Sequence, residues 1–157
     1  MNMHELRKTR ISYSLFDVVY KYLELEKRIR FFGTDKPLYF SEIHIISVIK
    51  ENEGIHITGL ANKMGVTKGA VSQILMKLEK KGFITKERDA DNQSRFLIKL
   101  TPKGEIAHDY HLKFHKDFDD MLYGLLKDES QEKIQFLKSF LQELEDKLQA
   151  FENKNAE

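Results

Sequence analysis

Residues 58–104 constrain the fold more than any other part of the chain, because they spell a helix-turn-helix followed by a β-hairpin wing. The stretch reads TGLANKMGVTKGAVSQILMKLEKKGFI and continues TKERDADNQSRFLIKLTPKG. Thr58 suits the cap of a short helix whose Leu60, Ala61 and Met64 face inward. Gly65 allows the left-handed backbone of a tight turn. Thr67 caps a second helix in which Val71, Ile74, Leu75 and Leu78 recur at helical spacing. Two short helices crossing steeply need a small residue in the first, Gly in the turn and aliphatics in the second. Ala61, Gly65, Val71 and Ile74 meet that need. The outer face of the second helix is left with Lys68, Ser72, Gln73, Met76 and Lys77, which include side chains able to reach phosphates and base edges.

The wing follows in register. Gly82 ends the second helix and Phe83–Glu87 has strand character. The polar run from Arg88 to Ser94 is turn-rich, and Arg95–Leu100 returns as a strand with Phe96, Ile98 and Leu100 alternating. Thr101-Pro102 then supplies a cap with Pro at the first helical position. The plainer alternative is a small helical domain with a surface hairpin and no nucleic acid. The order helix, turn, helix, wing argues against it.

Charge points the same way once it is divided along the chain. The net formal charge is +1. Residues 63–103 hold ten Lys and Arg against four acids, net +6, while the remainder holds 16 basic and 21 acidic residues, net −5. The positive charge sits on the winged motif, where a polyanion would bind. At 157 residues with 41% hydrophobic residues, the chain reads as one domain with a real core. It has no cysteine, which excludes disulfides, thiolate catalysis and thiol redox sensing. No apolar run approaches the roughly 18 residues of a membrane span, and the N-terminus shows no signal-peptide core. The expected partners therefore exclude membrane, and the expected compartment is the cytoplasm.

The flanks read as helical scaffolding. Residues 4–32 predict one long helix with Ile11, Leu15, Val18, Tyr22, Leu25, Ile29 and Phe32 alternating by four and three, a heptad-type seam. Ser41 is the expected cap of a helix to about Lys50, buried through Ile45, Ile46, Val48 and Ile49. Ile55–Ile57 reads as a short strand closing the wing sheet. After Thr101 a helix runs to about Lys127 with a stripe of Tyr110, Phe114, Phe118, Met121 and Leu125. Residues 130–152 form the last helix, with Ile134, Leu137, Leu141, Leu144, Leu148 and Phe151 in a seam. The expected fold is mainly α with a small β-wing: a winged helix-turn-helix at 39–100, flanked by dimerisation helices at 4–32 and 102–152. Seams of that length left bare would be large apolar patches. A homodimer covers them and places two recognition helices about one DNA turn, roughly 34 Å, apart on a near-palindromic duplex operator.

These features together resemble the MarR family of transcriptional regulators across nearly the whole chain. The carriers are the long first helix, the central winged motif, Leu78-Glu79-Lys80-Lys81-Gly82-Phe83-Ile84, Leu100-Thr101-Pro102-Lys103-Gly104 and two C-terminal helices. The resemblance implies a sequence-specific DNA-binding regulator of repressor type, contacting DNA through Thr67, Lys68, Ser72, Gln73, Lys77, Arg88, Asn92, Gln93 and Arg95. The family often has Asp-x-Arg at the wing tip. Asn92, Gln93 and Ser94 stand there instead, with Arg95 one place later, so Arg95 or Arg88 would take the minor-groove role.

His111 and His115 stand i, i+4 on the helix after the wing, the spacing by which a helix offers two nitrogens to Zn²⁺. His44 lies in the first turn of the Ser41 helix, and His108 is near the same face as the pair. Taken singly, such histidines are ordinary solvated surface. Within the family, however, the chain is similar to the zinc-responsive AdcR/ZitR branch. That resemblance puts Glu26, His44, His111 and His115 on the positions of its Zn²⁺ ligands. The branch's second site is not reproduced, since Phe32, Ile43 and Tyr110 occupy its positions. One carboxylate and three imidazoles suit Zn²⁺, with other divalent transition metals possible. Two other functions compete. One is a repressor released by a small aromatic or anionic ligand near Tyr13, Phe16, Phe40 and His44. The other is a metal-dependent hydrolase, for which no catalytic base is evident and a closed four-ligand site leaves no substrate position.

Overall fold

Capping and aliphatic spacing in the central third of the chain become a three-helix core with a two-stranded wing. The computed structural model describes residues 2–89 and 96–155. Its elements are α1 (Met3–Lys8), α2 (Ile11–Glu26), α3 (Phe40–Glu51), α4 (Ile57–Met64), α5 (Lys68–Lys81), β1 (Ile84–Arg88), β2 (Phe96–Leu100), α6 (Pro102–Leu126) and α7 (Gln131–Asn155). The chain divides into two compact units, residues 1–113 and 114–157, with the boundary inside α6.

The first unit holds the core. Leu38, Ile45, Ile46, Leu60, Val71, Leu75, Leu78, Phe83 and Ile98 are all fully buried. Leu38 precedes α3 and Phe83 joins α5 to β1; the others come from α3, α4, α5 and β2, which pack on one another. Each fully buried aliphatic contributes about 1.5–3 kcal/mol relative to exposure, so this cluster dominates the unit's stability. Thr67 begins α5 as its sequence predicts: its Oγ1 accepts from the Ala70 N–H at 3.2 Å. Gly65 closes α4 at φ +63, a left-handed conformation that side chains resist.

β1 and β2 pair antiparallel, with Ile84 opposite Leu100 and Arg88 opposite Phe96. The strand expected at Ile55–Ile57 is reduced to a single bridge, His56 with Leu97, and the Ile98 N–H donates to the Ile55 carbonyl at 3.0 Å. Ile57 already belongs to α4, whose cap position is His56 rather than Thr58. Likewise α3 starts one residue before Ser41, with Tyr39 at the cap. There the Tyr39 N–H donates to Glu42 Oε2 at 2.9 Å, so the first turn is held by a residue inside the helix.

The long N-terminal helix expected over 4–32 is not continuous. Arg10 adopts φ +56 and separates α1 from α2. The α2 helix stops at Glu26, where the Lys27 N–H closes the last turn onto the Leu23 carbonyl. Ile29 and Phe32 therefore lie beyond it. Arg30 and Leu38 exchange backbone hydrogen bonds of 2.8 and 3.3 Å, which close the segment between them into a loop.

Along α6, the residues buried are Gly104, Ala107, His108 and His111. The aromatic stripe expected there is mostly not buried: Tyr110 and Met121 are more than half exposed and Leu125 is 73% exposed. Gly104 is needed where it stands, since a Cβ on it would lie 2.2 Å from the Phe83 carbonyl oxygen. In the second unit, α7 buries no residue fully among the described residues, and its Phe136 and Phe151 are about 70% exposed. Among the described residues no helix is long and apolar enough to cross a membrane.

Candidate nucleic-acid interface and metal centre

α5 presents two opposite faces because its apolar residues recur every three to four positions. Val71, Leu75 and Leu78 are fully buried, while Lys68, Gln73, Met76, Lys77 and Lys80 are exposed and Ser72 is half-buried. The cations of the winged motif then sort into two groups. Lys86 donates to Glu79 and Lys99 to Glu87, each at 2.5 Å. Lys81 is bound to Glu42, and Lys103 to Asp35, whose carboxyl it holds below the ordinary carboxylate range. Lys63, Lys68, Lys77 and Lys80 form no ion pair among the described residues. Arg88, at the outer end of β1, stacks its guanidinium 5.9 Å from the Phe96 ring centre. The unneutralised positive charge therefore lies along the outer face of α5, its neighbour α4 and the end of β1. That is a surface complementary to a phosphate backbone. Of the nine DNA-contact residues the sequence suggests, Thr67 is committed to its cap. Lys68, Ser72, Gln73, Lys77 and Arg88 belong to this surface. Asn92, Gln93 and Arg95 lie outside the described residues.

A second cluster gathers where the end of α2 meets α3 and α6. His44 Nε2 lies 3.3 Å from Glu26 Oε2, and the Glu26 side chain is only 6% exposed. Its other oxygen, Oε1, is buried and has no hydrogen-bond partner among the described residues. The His44 and His111 rings stand 5.3 Å apart, edge to face. Ser47 Oγ lies 3.0 Å from His111 Nδ1 and orients that ring. The structure thus brings Glu26, His44 and His111 together within the first unit. His115 follows His111 by one turn of α6, in the second unit. A buried carboxylate oxygen without a donor, beside imidazoles, is a costly arrangement unless a cation satisfies it. The donor set fits a borderline-soft divalent ion. At the positions where the branch carries its second site, Phe32 turns its ring onto His111 at 5.8 Å and Ile43 is 2% exposed.

Sequence reasoning missed two features. Ser47 orients His111 from one turn beyond His44, a spacing visible in the sequence. The buried pairing of Glu42 with Lys81 joins residues 39 apart and has no local signal. His108, which the sequence places near the face of the His111 and His115 pair, is 5% exposed, and its Nδ1 lacks a hydrogen-bond partner among the described residues. A cavity of about 230 Å³ in the first unit is lined by Ile49, Lys50, Ile98, Leu100 and Glu105, not by the aromatics suggested for a small ligand.

The MarR family model matches residues 38–93, from the buried Leu38 through the recognition helix into the wing. The HTH-type transcriptional regulator PchR of Bacillus subtilis is 36% identical over 73% of this chain and 68% of its own length. The chain belongs to the MarR family. A second regulator of the same bacterium, 32% identical over 71% of this chain, is matched over 64% of its own length. Such MarR-family relatives are transcriptional regulators, not enzymes. Among solved structures, Streptococcus pneumoniae FabT in complex with DNA superposes with a TM-score of 0.73 at 27% identity, covering 92% of this chain and 99% of that one. Lactococcus lactis ZitR, a zinc-responsive family member, reaches the same TM-score at 17% identity over 90% and 98% of the two chains. That second likeness is one of fold.

Proposed function

We propose that this MarR-family chain is a sequence-specific repressor that binds a near-palindromic duplex as a homodimer, and binds it more tightly with Zn²⁺ held by Glu26, His44, His111 and His115. The observation that carries the DNA reading is the outer face of α5, where Lys68, Lys77 and Lys80 have no ion-pair partner among the described residues while the neighbouring Lys81 and Lys86 do. FabT, solved with DNA, is the relative in fold and sequence that favours the same reading. Lys68, Ser72, Gln73, Lys77 and Arg88 are assigned to the contact, with Asn92, Gln93 and Arg95 at the wing. The exposed apolar residues of α2 and of α7 support pairing with a second copy.

The metal half rests on the buried, half-satisfied Glu26 beside His44 and His111, and on the helical spacing of His115. A bound ion supplies the positive charge that this carboxylate lacks. Its ligands come from α2, α3 and α6, so occupancy favours one arrangement of those helices. It changes DNA affinity only by its differential affinity for the arrangements that bind DNA well and badly.

Calorimetric titration of chelator-treated protein with Zn²⁺ tests the site. One ion per subunit is expected, with the heat lost in the His44→Ala/His115→Ala variant. Equal binding by both proteins would remove the metal half. It would leave a regulator answering to a small aromatic or anionic ligand, for which Phe40 against the His44 ring, 4.2 Å centre to centre, is the favouring observation.

A further inference from the structure

Met76 is the exception on the DNA-facing side of α5. It is 50% exposed, although the helix has fully buried aliphatics on its other side. With about 3.6 residues per turn, Met76 lies roughly 100–160° round the helix from Val71, Leu75 and Leu78. It cannot join the core by a change of rotamer. Its neighbours on that face are Gln73 and Lys80, with Ser72 and Lys77 to either side. A lone exposed apolar side chain needs no explanation on an ordinary surface. This one stands mid-way along the helix assigned to the groove, beside Lys68, Lys77 and Lys80, which form no ion pair among the described residues. Two turns earlier on the same face stands Gly69. A Cβ there would meet nothing nearer than Thr67 Oγ1 at 3.9 Å, so packing within the chain does not call for glycine. A bare backbone at that point lets the helix approach something outside the chain closely.

In the major groove the apolar group on offer is the C5 methyl of thymine, read by contact with apolar side chains rather than by hydrogen bonds. Methionine, flexible and polarizable, adapts to such a partner. We propose that Met76 is a specificity-determining residue that reads a thymine methyl, complementing the hydrogen-bonding readout assigned to Ser72 and Gln73. This rests on the DNA-binding reading above.

The test uses the full-length protein and a duplex obtained by selection from a random library. Each thymine is replaced in turn by deoxyuridine, which removes the methyl group and nothing else. Wild type should lose about fourfold in affinity at one thymine per half-site, the worth of burying about one methyl-sized group. The Met76→Ala variant should bind the thymine and deoxyuridine duplexes equally, and Met76→Leu should keep the discrimination. Two results overturn the proposal alone: no thymine at which wild type discriminates, or the same loss in wild type and Met76→Ala. Failure to select any duplex overturns the DNA reading, and the proposal with it.

Discussion

Lys81 at the C-terminal end of α5 and Glu42 in the first turn of α3 form an ion pair with Nζ 2.8 and 2.7 Å from the two carboxylate oxygens. The Glu42 side chain is 3% exposed and that of Lys81 22%. Lys81 also donates to the Pro37 carbonyl at 2.9 Å. The end of the recognition helix is thereby fastened to the helix that carries His44 two residues further on.

Removing one partner leaves the other charge without compensation in a dry setting. Lys81→Met is expected to destabilise the fold by about 3 kcal/mol, near the lower end for a broken buried pair because Lys81 keeps some solvent contact. Adding Glu42→Gln should restore much of the loss. Urea denaturation of the two single variants and the double variant measures the coupling, and additive losses would show that the pair does not act as a unit.

The Leu-Thr-x-x-Gly run after the wing has a steric cause. Gly104 lies under the Phe83 carbonyl, while Thr101 caps α6 by accepting from the Gly104 N–H at 3.1 Å. A methyl group at position 104 must push the start of α6 away from β1. Gly104→Ala should therefore cost about 1–3 kcal/mol, as overpacking does. An unchanged thermal midpoint would contradict the close approach.

Asp35 and Lys103 tie the loop before α3 to the start of α6. The lowered carboxyl makes the sign definite. A group whose pKa is depressed on folding stabilises the protein above its unfolded pKa, and that contribution is lost as the pH falls through the folded value. Asp35→Asn should lower the thermal midpoint slightly at neutral pH. The gap from wild type should close as the pH drops below the ordinary carboxylate range. A gap independent of pH would mean that charge is not what Asp35 contributes.

The two groups of cations should separate in DNA binding. Each neutralised phosphate contributes about −0.9 to the slope of log affinity against log salt. Lys68→Ala and Lys77→Ala should each reduce the magnitude of the slope by about one. Lys86→Ala, whose charge is held by Glu79, should change it less. Equal effects of all three would show that the internal pairs do not decide which lysines meet DNA.

The winged motif was legible because its signals are local. Thr67, Gly65 and the Val71, Leu75, Leu78 spacing each act within a few residues of where they stand. The scaffold was less so. The three-four periodicity of residues 11–32 runs past the end of α2, because Ile29 and Phe32 keep the rhythm in a non-helical segment. The break at Arg10 is a left-handed residue without glycine, which no composition marks. On α6, periodicity found an apolar stripe but not the buried one. A stripe shows that a face is apolar, whereas burial of Gly104, Ala107, His108 and His111 follows from which element packs there. The candidate metal residues were named through a family pattern. That Glu26 is buried with an oxygen unsatisfied among the described residues needed the structure.

The central claim, a DNA-binding regulator tuned through Glu26, is tested most directly by fluorescence anisotropy of a labelled, selected duplex. The protein is chelator-treated and titrated with and without one equivalent of Zn²⁺, as wild type and as Glu26→Gln. The account predicts that Zn²⁺ tightens wild-type binding by about 5–150-fold, the span of ordinary coupling energies, and leaves Glu26→Gln unchanged. Superimposable wild-type curves in the two metal states would contradict it.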